Sequence, residues 1–299
     1  MSTEEIMAKT AILTDTNSGI LQREAKKAGI FLLPMMFTVN GRDHREGIDL
    51  RQEDFYKMLA DPQTTVSTTQ PSPGELEDIW DRILTEHDEI VYIPMSSGLS
   101  SSCMTAKMLS QEEKYDGRVF VVDNRRISVT QYQSVIDAKK MAAEEVPAAE
   151  IRDILERDAA LSSIYIMVNR LTYLKRGGRV TAAGALIANV MNLKPVLQIQ
   201  GEKLDAYAKC RGTKAARQKM IQAMRSDLDG RFKKYVDKGE MTLHLSYCDM
   251  TVFDVESWKA EIKEAFPDFE INAAPLSLSI GCHIGPGALA IACAKRSCK

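Results

Sequence analysis

The sequence lacks the long apolar segments of a membrane protein. Across its 299 residues, no apolar run approaches the ~20 residues that a helix needs to span a bilayer. The first ten residues also lack the apolar centre of a secretory signal peptide. We therefore expect a cytoplasmic protein with no stable membrane insertion.

The sequence also lacks an excess of either charge. Its 39 lysines and arginines are offset by 41 aspartates and glutamates, and the basic residues are scattered among the acidic ones. A nucleic-acid-binding domain normally gathers basic residues on one surface, because contacts to phosphate supply much of the affinity. The composition therefore argues against a nucleic-acid partner.

Cysteine spacing typical of a metal site or a disulfide framework is absent. The six cysteines include no C-x-x-C pair and no histidine partner at zinc-ligand spacing. They are Cys103, Cys210, Cys248, Cys282, Cys293 and Cys298. We expect free thiols in a reducing compartment and no metal.

Motifs of nucleotide-dependent enzymes are absent as well. The chain has neither a G-x-x-x-x-G-K-[ST] phosphate loop nor a kinase glycine loop. Gly285, Gly287 and Ala290 match the G-x-G-x-x-A dinucleotide pattern, but the nine residues that follow are too few for a βαβ unit. We therefore predict no cofactor.

A hydroxyl-rich segment follows an apolar run at residues 90–95, which predicts a buried strand. Ser96, Ser97, Gly98 and Ser100 occupy the point where this strand ends and a helix begins. Backbone amides and the positive end of a helix dipole favour an anion there, and serine hydroxyls add donors. The alternative is that the serines only cap the helix and solvate a loop. Residues 96–102 are named the serine loop below.

Strands and helices alternate through the first half of the chain. Strands are predicted at residues 10–14, 31–39, 90–95 and 118–123. The alternation predicts a parallel sheet with helices on both faces, whose ligand-binding edge lies at the carboxyl ends of the strands. We expect Asp15, a hydroxyl-rich loop at residues 64–72 and the serine loop to reach this edge. Ser72, Pro73 and Glu75 match the N-cap, N1 and N3 positions of the next helix.

The alternation loosens near residue 164, where a second domain is expected to begin. Strands are predicted at residues 164–168, 195–199, 242–248, 270–275 and 289–294, with helices at 213–225 and 255–266. This pattern predicts a mixed sheet. The expected fold is therefore α/β with two domains: an N-terminal parallel sheet flanked by helices in residues 1–162, and a C-terminal mixed α/β domain in residues 163–299.

Two glycine motifs in the second half present candidate binding side chains. Gly177 and Gly178 predict a left-handed helix end that delivers Arg179 from a stiff bend. His283 precedes a Gly-Pro-Gly turn and is a candidate donor into a cleft, including when protonated. The alternatives are a surface arginine beyond a helix stop and a structural histidine.

Together these motifs resemble the DegV family, in that family's order and over nearly the whole chain. They are Asp15-Thr16, T-T-Q-P-S at 68–72, S-S-G-L-S at 96–100, Val122-Asp123, Tyr173-Leu174, G-G-R at 177–179, K-P-V-L at 194–197 and H-I-G-P-G at 283–287. The resemblance implies a cytoplasmic fatty-acid-binding protein with two α/β domains and a long acyl tunnel between them.

The resemblance also implies a ligand site and a partner. It implies that Thr68 and Ser100 hold the carboxylate of a long-chain fatty acid. The full set of candidate ligand residues is Thr68, Thr69, Ser96, Ser97, Ser100, Arg179 and His283. Some members of the family present the bound acid to a fatty acid kinase, which phosphorylates it for phospholipid synthesis. A kinase subunit is therefore an implied partner.

The match to the family is imperfect. The departures are Thr69 for serine, Ser101-Ser102 for Gly-Thr and Ala290 for glycine. Residues 124–133 lack the small residues of many members and carry Arg126, Tyr132 and Gln133 instead. If this segment shapes the tunnel, we expect a changed preference for acyl chain length or branching.

A lipid-directed serine hydrolase is the alternative function. Ser97 or Ser100 would act with His283 and Asp15 as a triad, if the fold brings them together. The chain has no G-x-S-x-G nucleophile elbow, which favours the binding protein. Turnover of p-nitrophenyl acyl esters that Ser100→Ala abolishes would favour the hydrolase.

Overall fold

The computed structural model describes residues 8–169, 172–179, 193–201, 203–249 and 254–298. The strands are β1 (Thr10–Asp15), β2 (Phe31–Leu33), β3 (Met36–Val39), β4 (Arg42–Arg45), β5 (Val66–Thr69), β6 (Glu89–Ile93), β7 (Val119–Val121), β8 (Ser162–Met167), β9 (Leu193–Ile199), β10 (Asp205–Arg211), β11 (Met241–Tyr247), β12 (Ile271–Pro275) and β13 (Leu289–Lys295).

The helices in the same ranges are α1 (Gln22–Ala28), α2 (Gln52–Leu59), α3 (Pro73–Ile83), α4 (Ser102–Leu109), α5 (Val129–Ala143), α6 (Ala148–Arg157), α7 (Thr172–Gly177), α8 (Thr213–Asp229), α9 (Lys233–Val236), α10 (Val255–Ala265) and α11 (Leu278–Ile284). A 3-10 turn, Thr16–Ser18, follows β1. Within the described ranges, no helix combines the length and apolar character that a membrane crossing requires.

The N-terminal half is built on a parallel sheet with the strand order β2-β1-β6-β7. Successive residues of a strand point to opposite faces. Leu13 of β1 therefore packs in a core with Trp80 of α3, whereas Ile12 packs on the other face with Val135 of α5. Helices cover both faces of the sheet, which confirms the predicted architecture of this half.

The single strand predicted at residues 31–39 is wrong. These residues divide between two sheets, because β2 belongs to the parallel sheet and β3 pairs antiparallel with β4 and β5. Pro34 separates β2 from β3, and a proline has no N–H to donate to a strand ladder. The loop predicted at residues 64–72 likewise contains β5, so part of its hydroxyl run lies on a strand.

The C-terminal half contains the predicted mixed sheet, with the order β10-β9-β8-β13-β11-β12. Neighbouring strands pair antiparallel except β11 and β12, which are parallel. Helices α8 and α10 cover one face, where Trp258 is fully buried. The edge strand β10 was not predicted, because its D-A-Y-A-K-C-R sequence is rich in residues that are depleted from strands.

The two halves meet through a continuous core. Phe37 of β3 and Leu278 of α11 belong to the same buried apolar cluster. Polar contacts also join them, since Lys295 Nζ of β13 lies 2.7 Å from Asp158 Oδ2, and both side chains are largely buried. The domain boundary between residues 162 and 163 stays a prediction. Along the chain, β8 is the first strand that belongs to the six-stranded sheet.

Candidate functional site

A cavity of about 250 Å³ lies between the two halves, beside the carboxyl ends of β1 and β6. Its apolar lining comes from Met35, Met95, Leu99, Ile127, Leu174, Leu204, Ile280 and Ile284. Its polar lining comes from Asn17, Thr68, Thr69, Gln70, Ser100, Ser101, Arg179, Ser279 and His283. The cavity therefore combines hydrogen-bonding groups with apolar walls.

The structure brings most of the predicted site residues to this cavity. Strand β5 contributes Thr68 and Thr69, the serine loop contributes Ser100, and the ends of α7 and α11 bring Arg179 and His283. Ser96 and Ser97, which the structure also describes, are not part of the lining.

Ser96 holds the conformation of the serine loop through hydrogen bonds within the loop. Its Oγ accepts from the amide of Gly98 at 3.2 Å, and its carbonyl accepts from the amides of Leu99 and Ser100 at 3.0 and 3.1 Å. These amides are therefore not free donors for an anion, contrary to the expectation from the sequence. Ser100 Oγ accepts from the amide of Ser102 at 3.2 Å, which leaves the Ser100 hydroxyl hydrogen as a donor.

Thr68 and His283 form a hydrogen-bonded pair at the cavity wall. Thr68 Oγ1, on β5, lies 2.9 Å from His283 Nε2, in the last turn of α11. A neutral imidazole donates from one nitrogen only. With that proton on Nε2, His283 donates to Thr68 and leaves the threonine hydroxyl hydrogen for an acceptor in the cavity.

His283 is neutral near pH 7. Burial first, and the nearby charge of Arg179 second, lower the pKa of His283 to about 4. Its Nδ1 is buried and has no hydrogen-bond partner among the described residues. The protonated histidine that the sequence suggested as a donor is therefore expected only in acid, and at neutral pH the donor is the neutral ring.

Arg179 follows the predicted glycine bend. Gly178 has φ +65° immediately after α7, and its amide donates to Leu174 O at 3.1 Å. The left-handed helix end is therefore confirmed. Arg179 is exposed, and its Nε donates to Leu99 O at 3.4 Å. The bend thus brings a cation to the cavity wall beside the serine loop.

Gly285 sets the approach of α7 to α11. It has φ +71° and ψ −176° at the end of α11, and a Cβ there would lie 2.3 Å from Tyr173 Cδ2. Tyr173 is held in turn by a bond from its hydroxyl to Leu59 O at 3.2 Å. The Gly-Pro-Gly turn therefore positions two helices, one that bears His283 and one that leads to Arg179.

Glu46, which no sequence motif indicated, supports the site from outside the cavity lining, by binding the start of α11. Its carboxylate accepts from Thr16 Oγ1 at 3.0 Å, from Ser279 Oγ at 2.9 Å and from the amide of Leu278. Glu46 therefore caps the N-terminal end of α11, which carries His283. Burial raises the pKa of Glu46 to about 7, and these hydrogen bonds oppose that rise.

Asp15 and Asn17 form a second buried polar group beside the cavity. Asp15 Oδ2 accepts from the amide of Met95 at 2.8 Å, which fixes the start of the turn into the serine loop. Burial raises the pKa of Asp15 to about 6, whereas its hydrogen bonds lower it. Asn17 Oδ1 lies 2.6 Å from Ser279 Oγ, whose single hydrogen serves either Asn17 or Glu46, and this contact links the group to α11.

The bulky side chains of residues 124–133 lie away from this cavity. Arg126 donates to Ser134 Oγ at 3.0 Å and to Asp158 O at 2.8 Å, and Gln133 donates to an oxygen of Asp137 at 2.9 Å. Ile127 is the residue of this segment that lines the cavity described here. That this segment changes the preference for an acyl chain stays a prediction.

Fold and site together define the class of the protein: a two-sheet α/β protein with a partly apolar cavity between its halves. The chain belongs to the DegV family. A family profile described as "Uncharacterised protein, DegV family" matches residues 9–296.

Relatives in this family match the chain over nearly its full length. A DegV domain-containing protein of Caldanaerobacter subterraneus is 27% identical over 285 residues, which cover 95% of this chain and 98% of that one. A solved structure described as fatty acid binding of a DegV family protein from Thermus thermophilus is 25% identical, with a TM-score of 0.84 and coverage of 96% and 99%. DegV of Bacillus subtilis, described as a fatty acid binding protein, is 24% identical, with a TM-score of 0.81 and the same coverage.

Proposed function

We propose that this protein binds a long-chain fatty acid in the cavity between its halves. The observation that carries the proposal is the Thr68–His283 pair, which leaves the Thr68 hydroxyl hydrogen without an acceptor among the described residues when Nε2 is protonated. Ser100 supplies a second hydroxyl donor in the same cavity. The relative from Thermus thermophilus, described as fatty acid binding, supports the proposal.

The acyl chain is expected to supply most of the affinity. A sixteen-carbon acid has fourteen methylenes, and at ~0.8 kcal/mol each their full burial is worth about 11 kcal/mol before the costs of association. A hydrogen bond to the charged carboxylate adds only ~1.5–3 kcal/mol, much of which offsets desolvation. The hydroxyls therefore set the orientation of the acid.

The first experiment is to ask what the purified protein carries. Solvent extraction and mass spectrometry of the undenatured protein are expected to show a bound long-chain fatty acid. A preparation that carries none and does not bind added palmitate or oleate would contradict the proposal.

Hydroxyl variants test the head-group site. Thr68→Ala and Ser100→Ala are each expected to weaken binding of a fluorescent fatty acid by about 1–3 kcal/mol. The double variant is expected to lose less than the sum, because both hydroxyls bind one carboxylate. Ser97→Ala is the matched control, since Ser97 lies outside the cavity lining, and it is expected to bind like the wild type. Wild-type affinity in the double variant would place the carboxylate elsewhere.

We further propose that the bound acid is presented to a fatty acid kinase, with Arg179 beside the transferred phosphoryl group. The two hydroxyls hold the carboxylate, and the charge and planar donors of a guanidinium would add more to a doubly charged phosphate than to a singly charged carboxylate. Arg179 is exposed at the cavity wall, where a partner enzyme can reach it.

Arg179→Ala is therefore expected to slow phosphorylation of the bound acid more than it weakens acid binding. Arg176→Ala is the control, because Arg176 is exposed on α7, three residues before Arg179, and does not line the cavity. Complex formation with the kinase and turnover are measured separately, since a surface cation also affects docking. Equal losses of binding and phosphorylation would make Arg179 an ordinary part of the carboxylate site.

The structure offers no observation that favours the hydrolase. Among the described residues, Ser97, Ser100, His283 and Asp15 form no hydrogen bond with one another. Asp15 instead accepts from Met95, and His283 pairs with Thr68. A triad needs the base within hydrogen-bond reach of the nucleophile.

A further inference from the structure

Glu46 lies between two cavities. It lines a second cavity, of about 390 Å³, together with Thr16 and Leu278. Its Oε2 lies 2.9 Å from Ser279 Oγ, and Ser279 lines the cavity between the halves, which is named the first cavity below. Glu46 is 6% exposed and forms no ion pair with a lysine or arginine of the described ranges. Hydrogen bonds alone therefore offset its charge.

The groups around Glu46 supply little positive charge. Arg45 is the only permanent cation among the titratable groups on its own segment and on the elements packed against it, and the exposed Arg45 side chain lies 3.9 Å from Glu75 instead. His283 is neutral near pH 7. A negative charge added close to Glu46 would therefore meet little compensation. The groups in question are Asp15, His44, Arg45, Asp49, Tyr56, Cys282 and His283.

The proposed carboxylate site lies within range of the Glu46 charge. Ser279 and His283 are four residues apart on α11, so they share a face of the helix, with ~5–6 Å between their Cβ atoms. His283 Nε2 in turn lies 2.9 Å from Thr68 Oγ1, where we place the carboxylate. The distance between Glu46 and a bound carboxylate is therefore on the order of 10 Å.

At this distance the two negative charges repel each other appreciably. With an effective dielectric constant of ~20, the repulsion changes an equilibrium constant by about tenfold. Arg179, at the wall of the first cavity, attracts the ligand in both ionisation states of Glu46. Arg179 therefore does not remove the difference between these two states.

We propose that binding of a fatty acid anion in the first cavity is coupled to uptake of a proton by Glu46, so that affinity falls as the pH rises. This inference rests on the proposed function. Its sign follows from the charges, because ionised Glu46 repels the carboxylate and protonated Glu46 does not. Burial raises the pKa of Glu46 to about 7, which places the exchange near neutral pH. Asp15, with a pKa of about 6, would act in the same direction in more acid solution.

Titration of a fluorescent fatty acid at pH 6.5 and pH 8.5 tests the coupling. With a tenfold interaction, we expect the wild type to lose about sixfold in affinity between these two pH values. Glu46→Gln removes the ionisable proton, so it is expected to lose less than about twofold, which Asp15 would account for. Glu53→Gln, which changes an exposed carboxylate on α2, is the control and is expected to lose as much as the wild type.

The affinity at pH 8.5 separates the coupling from a purely structural role of Glu46. If Glu46 only holds α11 in place, Glu46→Gln should bind more weakly than the wild type at both pH values. The coupling predicts the opposite at pH 8.5, where Glu46→Gln is expected to bind about eightfold more tightly, because the repulsion is gone. At pH 6.5 the two proteins are expected to bind almost equally.

Carbon-13 NMR of the Glu46 carboxyl group gives a local readout in the wild type. The pKa of Glu46 is expected to rise when palmitate binds. It is expected to rise less with palmitamide, which has the same carbon chain and no charge. If Glu46→Gln does not fold, this measurement decides the outcome.

A wild-type affinity that is the same at pH 6.5 and pH 8.5 would overturn the coupling and leave the fatty acid site in place. So would a sixfold loss that persists in Glu46→Gln, or an equal rise of the Glu46 pKa with palmitate and with palmitamide. No binding of palmitate at either pH would contradict the proposed function, and the coupling with it.

Discussion

Burial changes the chemistry of several single residues around the first cavity. His283 is kept neutral, and the carboxyl groups of Asp15 and Glu46 hold their protons at higher pH than usual. Each of these groups is tied by hydrogen bonds to an element that carries a lining residue. The same buried contacts therefore determine both where these side chains lie and whether they are protonated.

Gly285 is expected to tolerate no side chain. Its backbone lies in a region that only glycine occupies readily, at a cost of ~1–3 kcal/mol for other residues, and a Cβ would overlap Tyr173. We expect Gly285→Ala to lower the free energy of unfolding by at least about 2 kcal/mol, because the overlap adds to the backbone strain. Urea unfolding measures this.

Gly74→Ala is the matched control for Gly285→Ala. Gly74 lies near the start of α3, and its added Cβ would meet no atom within 4 Å. We expect a change within about 0.5 kcal/mol. If Gly285→Ala is equally mild, the close packing of Tyr173 on this turn is not required for stability.

Glu46 is expected to make stability depend on pH. Burial raises its pKa from an ordinary 4.5 to about 7, so the folded chain holds this proton more tightly than the unfolded chain does. The resulting stability is complete below about pH 4.5 and is lost as the pH rises to about 7. Asp15, with a pKa near 6, acts in the same direction at lower pH. Between pH 6 and pH 7 the free energy of unfolding of the wild type should therefore fall. We expect this fall to be about 1 kcal/mol smaller in Glu46→Gln.

Urea unfolding at pH 6 and pH 7 tests this expectation. Glu113→Gln, which changes an exposed carboxylate, is the control and should keep the wild-type dependence on pH. An unaltered dependence in Glu46→Gln would show that Glu46 does not change its ionisation in this range.

Site residues could be predicted from the sequence only where they belong to a recognisable local motif. Thr68, Ser100 and Arg179 stand in recognisable runs, and all three line the cavity. Glu46 could not be predicted, because it lies in a charged segment and its bond to Leu278 joins residues 232 positions apart. The neutral state of His283 likewise depends on burial, which no local pattern specifies.

At the scale of elements, periodicity predicted the buried strands and long helices well. Both sheets of the main architecture were predicted apart from the edge strand β10, because their other strands are apolar runs between clear turn signals. The small antiparallel sheet of β3, β4 and β5 was not. Its strands have four residues each; β3 and β5 mix polar with apolar side chains and β4 has polar side chains alone, so tertiary pairing decides their conformation.

The start of α3 is an element boundary that the sequence predicted, and it can be tested. Ser72 Oγ accepts from the amide of Glu75 at 3.3 Å, and Glu75 Oε2 accepts from the amide of Ser72 at 3.0 Å. Ser72→Ala is expected to lower the free energy of unfolding by about 1 kcal/mol, and Ser72→Gly by only a few tenths. Equal effects of the two variants in thermal or urea unfolding would argue against the cap.

At the scale of the whole molecule, the two halves are joined by contacts of several kinds. One apolar cluster contains residues of both halves, and Glu46 and Asn17 of the first bond to α11 of the second. Lys295 pairs with Asp158 across the same interface. The first cavity is lined from both halves, so a ligand bound there would contact each of them.

We therefore expect the two halves to unfold together and to be stabilised together by palmitate. The two tryptophans make this measurable, because Trp80 is buried in the N-terminal half and Trp258 in the C-terminal half. In Trp80→Phe and Trp258→Phe, the fluorescence of the remaining tryptophan and the far-ultraviolet circular dichroism are expected to give one urea midpoint, as in two-state unfolding. Palmitate at about one hundred times its Kd should add ~2.7 kcal/mol to the free energy of unfolding in each variant. Two midpoints, with only one moved by palmitate, would mean that the halves unfold independently and that one of them alone holds the acid.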